Sequence, residues 1–129
     1  MAIGGAVFTV DLAVTGEQRA QGLSGREPLP PATGMLFVFP EAVRLTFWMK
    51  DMRFPLDLVW IGSDCRVVDI THNAPPPAPD QELADLPRFS PMAPARYVLE
   101  VHAGEANSGG LAVGELVAFS GTLAGQHGC

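Results

Sequence analysis

Two carboxylates set into apolar runs, Asp57 and Glu100, are the residues of this chain best suited by type and setting to do chemistry. Asp57 lies in Leu56-Asp57-Leu58-Val59-Trp60-Ile61. In extended backbone Leu56, Leu58 and Trp60 share one face, and Asp57, Val59 and Ile61 the other. A carboxylate there stands at a strand mouth or is buried with a partner. It either accepts hydrogen bonds from backbone N–H groups of the turn beside Pro55 or faces a ligand. Glu100 repeats the pattern in Tyr97-Val98-Leu99-Glu100-Val101-His102, where an unpaired buried charge is costly. It is either salt-bridged to Arg19, Arg26, Lys50 or Arg53, or a functional carboxylate. If Asp57 and Glu100 meet across neighbouring strands, one acquires a raised pKa, and the pair suits general acid–base catalysis by a hydrolase.

The densest mixture of apolar and ionisable residues is Thr46-Phe47-Trp48-Met49-Lys50-Asp51-Met52-Arg53-Phe54-Pro55. A solvated loop has no need of Trp48 and Phe54, and a core strand has no need of Lys50, Asp51 and Arg53. Such a connection has the composition of a pocket rim. Trp48 and Lys50 share one strand face; the indole either stacks on a sugar ring or a cation, or packs in the core. Arg19 and Arg26, seven apart around Gly22, either clamp an anion or tie a helix to the sheet through internal acids. The expected ligand-binding set is Arg19, Trp48, Lys50, Asp57 and Glu100. His72, His102 and His127 have no metal-ligand spacing, so neither a metal nor a cofactor is expected. There is no Gly-x-Ser-x-Gly elbow, phosphate loop or dinucleotide fingerprint.

The elements that must position these residues are mostly strands. Ala6 to Val14 alternates as a half-buried strand. Thr15-Gly16-Glu17-Gln18 is a capping box, predicting a short helix over Gly16 to Leu23 that ends at Gly22 or Gly25. Met35 to Phe39, Leu45 to Lys50, Leu56 to Ile61, Arg66 to His72, Tyr97 to His102 and Val113 to Phe119 read as strands, with a hairpin turn at Gly62 to Cys65. The expectation is a mainly β, compact sandwich or barrel of jelly-roll character. Ala74 to Ala95 carries seven of the twelve prolines, so it is read as a long covering loop with one helical turn, not a central strand. The expected organisation is one domain over 1–129, with its core at 6–120 and a flexible tail at 121–129.

With 47% hydrophobic and 17% charged residues the chain is globular in composition, and a net charge of −6 disfavours a nucleic-acid partner. No apolar window is long enough to span a membrane. The start lacks the basic region and long apolar core of a signal peptide, which leaves either a cytoplasmic protein or one whose leader precedes residue 1. Cys65 and Cys129 are far apart and one is terminal, so an exposed Cys65 is favoured over a structural disulfide, with the disulfide state left open.

Taken in order, Arg19-x-x-Gly22-Leu23-x-x-Arg26, Gly34-Met35-Leu36-Phe37-Val38-Phe39, Phe47-Trp48-Met49-Lys50, Pro55-Leu56-Asp57 and Val98-Leu99-Glu100-Val101 with Ala103-Gly104 resemble the bacterial and archaeal family called domain of unknown function 192. The resemblance runs from Thr9 to Phe119. It implies a jelly-roll-like β domain and relatives that are often exported, and it carries no activity. Ser24 stands where the family usually has Met, Asp51-Met52 where it has Thr or Asn-Thr, and His102 where it has Asn. The long loop lacks the family's cysteine. The favoured function is a non-catalytic module binding a small polar or sugar-like ligand in the cell envelope, periplasmic or secreted. The alternatives are a hydrolase using Asp57 and Glu100, and an envelope accessory protein that binds a protein partner through the proline-rich loop.

Overall fold

The computed structural model describes residues 1–120 and 127–129. In chain order the elements are β1 (Ala2–Ile3), β2 (Ala6–Val7), β3 (Thr9–Ala13), α1 (Gly16–Gln21), β4 (Thr33–Val43), β5 (Phe47–Trp48), β6 (Leu56–Ile61), β7 (Val67–Ala74), a 3-10 turn at Leu83–Asp85, β8 (Arg88–Phe89), β9 (Ala95–His102), α2 (Glu105–Ser108) and β10 (Val117–Ala118). The protein is mainly β. A five-stranded sheet of order β3-β4-β9-β6-β7 is accompanied by a three-stranded sheet, β10-β1-β2, and a ribbon, β5-β8. Among the described residues no sheet closes into a barrel. The parallel β3–β4 pair also departs from the antiparallel pairing of a jelly roll.

That parallel pair requires a crossover, and α1 is its helix. Thr15 accepts from the Gln18 N–H at 3.1 Å, and the Gln18 side chain accepts from the Thr15 N–H at 3.1 Å. The predicted capping box is therefore formed. The helix ends at Gly22, whose φ of 49° lies in the left-handed region.

Both faces of the large sheet are covered, so β6 is buried at all six positions. One face carries Leu36, Val38, Val59, Ile61, Leu99 and Val101, packed against Ile3, Phe8 and Val117 of the small sheet and its connections. The other carries Met35, Phe37, Leu56, Leu58, Trp60 and Val98, packed against Leu23, Met49 and Phe54. This second layer is built from the connections flanking α1 and β5 rather than from a further large sheet.

Several boundaries differ from expectation. The strand predicted over Ala6 to Val14 breaks at Phe8, because β2 pairs with β1 while β3 pairs with β4. Of Leu45 to Lys50 only Phe47–Trp48 is a strand, and of Val113 to Phe119 only Val117–Ala118. The proline-rich segment crosses back over β5, where Phe89 pairs with Phe47 and Arg88 with Trp48.

Cys65 and Cys129 form a disulfide with a Cα–Cα distance of 5.6 Å, the alternative that the sequence disfavoured. Sequence distance misleads here because the chain end is returned to the β6–β7 hairpin. The Val117 N–H donates to the Cys65 carbonyl at 2.7 Å and the Phe119 N–H to the Cys129 carbonyl at 3.1 Å. The tail expected to be flexible lies outside the described residues over 121–126. Over 127–129 it is anchored, with the Tyr97 hydroxyl donating to the His127 carbonyl. No helix among the described residues is long and apolar enough to cross a membrane.

Candidate functional site

Register decides where the two carboxylates go. Leu58 of β6 stands opposite Glu100 of β9, and Asp57 opposite Val101. Asp57 and Glu100 therefore point to opposite faces of the same sheet. The acid–base pair considered from sequence does not form.

Asp57 is only 1% exposed, and its carboxylate accepts from the N–H groups of Asn73 at 2.8 Å, Gly104 at 3.0 Å and Ala106 at 3.1 Å. It ties β6 to β7 and to the start of α2. Its partners are backbone donors, as in the non-ligand reading, though they belong to other turns than the one at Pro55.

Glu100 faces the other way, onto a cleft of about 690 Å³. Arg19, Gly22, Phe37, Phe39, Phe47, Trp48, Lys50 and Asp51 line the same space. Of the five expected binding residues, four converge and Asp57 is elsewhere. Glu100 is 6% exposed, and among the described residues no hydrogen bond or ion pair reaches its carboxyl. Burial without a charged partner pushes its pKa up to about 8, so at neutral pH it is mainly a protonated acid and a hydrogen-bond donor. The close approach of β4 to β9 here depends on Gly34, where a Cβ would stand 2.4 Å from the Glu100 carbonyl oxygen.

The rim follows from two docked loops. The loop after α1 meets the turn after β5 through the Gly25 N–H, which donates to the Asp51 carbonyl at 2.9 Å. Asp51 adopts a φ of 61°, a left-handed conformation that aspartate tolerates better than most residues. Arg19 is held rather than free. Its guanidinium donates to the Val14 carbonyl and to the Val38 carbonyl at 2.9 Å, and lies 4.8 Å above the Phe39 ring. Arg26 pairs with Asp11 at 3.2 Å, as expected of an arginine tying the helix region to the sheet, and Arg53 pairs with Glu27 at 2.9 Å. Neither is a partner for Glu100.

Trp48 is 38% exposed, so it is a wall of the cleft rather than core. Behind it Phe47 packs edge-on against Phe37 at 5.2 Å and Trp60 at 5.4 Å, which fixes the strand that carries Trp48. Two cations sit over the indole, the Lys50 ammonium at 5.7 Å and the Arg88 guanidinium at 4.0 Å. Arg88 escaped the sequence reading because it lies in the proline-rich segment. Its one signal is the cation–aromatic pair Arg88-Phe89 set between Pro87 and Pro91. Phe39 also escaped, since it reads as a strand residue, whereas Phe47 lies in the stretch read as a pocket rim. His102 stacks on Phe54 at 5.5 Å, and no cluster of three or more metal-type ligands occurs among the described residues.

No curated protein matches the chain. Two solved structures do. One is a protein of Sinorhizobium meliloti 1021 described as a proposed transcription regulator. It is 37% identical over 84% of this chain and 79% of its own, with a TM-score of 0.75. The other is a protein of unknown function from Novosphingobium aromaticivorans DSM 12444. It is 32% identical over 91% of this chain and 81% of its own, with a TM-score of 0.80. The model of the uncharacterised ACR family, domain of unknown function 192, matches residues 1–119, and the chain belongs to that family.

Proposed function

We propose that the chain is a non-catalytic binding module whose cleft takes a small polar, sugar-like ligand. The observation that carries this reading is the pairing of a half-exposed Trp48 on the wall with a buried Glu100 whose carboxyl has no partner among the described residues. An indole offers apolar area to the flat face of a sugar ring, and a protonated carboxyl offers a directional donor to a hydroxyl. A cleft of this size and mixed lining suits a ligand of that class. A group as costly to bury as Glu100 is more readily understood at a binding site than as packing.

The hydrolase alternative loses support, because Asp57 is occupied by three backbone donors on the other face. The partner-binding alternative has one observation in its favour, the exposed Leu83 and Met92 on the proline-rich segment. The name of the Sinorhizobium relative does not favour nucleic acid for this chain, given its net charge of −6. The Cys65–Cys129 bridge supports an oxidising compartment, such as the periplasm or the exterior.

The test is a thermal-shift screen against sugars, nucleotides, organic acids and divalent metals, since a ligand of the folded state raises the melting temperature. A sugar-like hit is expected, with its affinity lowered at least about tenfold by Trp48→Ala, the loss of one large buried contact. A hit that Trp48→Ala leaves unchanged contradicts the reading.

A further inference from the structure

The chain is acidic overall, yet its cations are not evenly distributed. Eight basic residues are present; two of them, Arg19 and Lys50, line the cleft, and a third, Arg88, lies over the ring of Trp48 on its wall. Arg26 and Arg53 are taken up by Asp11 and Glu27. Arg44, Arg66 and Arg96 donate to the carbonyls of Met92, Gly114 and Phe39. Lys50 and Arg88 differ in that both lie over the Trp48 ring; neither has a carboxylate within ion-pair distance among the described residues.

Two acids line the cleft. Asp51 lines the same rim, and the Glu100 carboxyl below is mainly protonated at neutral pH. The local balance is therefore positive in a protein of net charge −6. Arg88 is also positioned for recognition. Its guanidinium is held over the indole at 4.0 Å and fixed by one bond from Nη1 to the Leu86 carbonyl at 3.3 Å. A guanidinium carries five N–H donors, so most remain for an incoming group, and their fork matches a carboxylate.

We infer that the ligand of this cleft is an acidic sugar of the uronate class, its carboxylate received by Arg88 and Lys50 at Trp48 and its hydroxyls directed toward Glu100. The inference rests on the binding-module reading above and adds the charge of the ligand. Arg88 and Lys50 supply charge selection at the rim, Trp48 the apolar wall, and Glu100 a neutral donor that does not repel the anion.

Calorimetric titration of the full chain with galacturonate and glucuronate, against their neutral parents galactose and glucose, tests it. The acids are expected to bind at least about tenfold more tightly than the parents, a difference of about 1.4 kcal/mol, and to weaken with added salt. Arg88→Gln and Lys50→Met, both at the surface, are each expected to remove most of that preference without changing the melting temperature. Neutral sugars binding as well as the acids would overturn the charge inference and leave the cleft reading standing. A preference that survives both substitutions would overturn the placement of the carboxylate. No binding by any of the four would overturn both the inference and the sugar-like ligand beneath it.

Discussion

Glu100 holds its proton because ionising inside the sheet face that carries Phe37, Trp60 and Val98 would forfeit hydration with no counter-charge to replace it. This has a stability consequence whose sign is fixed. The folded pKa, about 8, lies above the unfolded value of 4.5. Below the lower value both states hold the proton. Between the two the unfolded chain has released a proton that the folded chain keeps, so stability falls as pH rises, by up to about 1.4 kcal/mol per pH unit. Above the higher value the loss is complete. The charged groups sharing the cleft with Glu100 are Arg19, Lys50 and Asp51. Glu100→Gln removes the titration and keeps the shape. Urea unfolding from pH 5 to pH 8 is expected to show wild type losing stability relative to Glu100→Gln across that range. A constant difference between the two proteins would mean that Glu100 ionises normally.

At the scale of elements, Asp57 is a clasp. One β6 side chain satisfies a donor from β7 and donors from both the cap and the first turn of α2. Asp57→Ala leaves those N–H groups buried without acceptors, and a loss of roughly 3–5 kcal/mol is expected in chemical unfolding at neutral pH. A loss below about 1 kcal/mol would mean that water or other acceptors replace it. Local elements are the part of the architecture most legible in the sequence. The Thr15–Gln18 box, the Gly22 stop and the alternation of Leu56–Ile61 and Tyr97–His102 follow from interactions within a few residues. Register does not, because nothing local dictates that Leu58 rather than Asp57 stands opposite Glu100. That one-residue choice separates the two carboxylates. The short strands end early for a related reason: Leu45 to Lys50 has strand composition, but only Phe47–Trp48 finds a partner, and that partner is Arg88–Phe89 within the proline-rich segment.

At the scale of the molecule, the cleft is where distant pieces of chain meet. The helix crossover supplies Arg19 and Gly22, the turn after β5 supplies Lys50 and Asp51, the centre of the sheet supplies Glu100, and the returning proline-rich segment supplies Arg88. The residue types at three of these places announced a pocket; the arrival of Arg88 and the Cys65–Cys129 bridge depended on long-range return paths that no short window encodes. The bridge pins the chain end to the β6–β7 hairpin, and Glu100 faces away from that side of the sheet. The most direct single test of the central claim is amide NMR of the full chain with the compound of largest thermal shift from the sugar, nucleotide and organic-acid screen. Perturbed resonances are expected to cluster at 19–25, 46–52 and Arg88, with Glu100 among them. Perturbations confined to the face carrying Ile3, Phe8 and Val117, or scattered without a cluster, would contradict a binding cleft between Trp48 and Glu100.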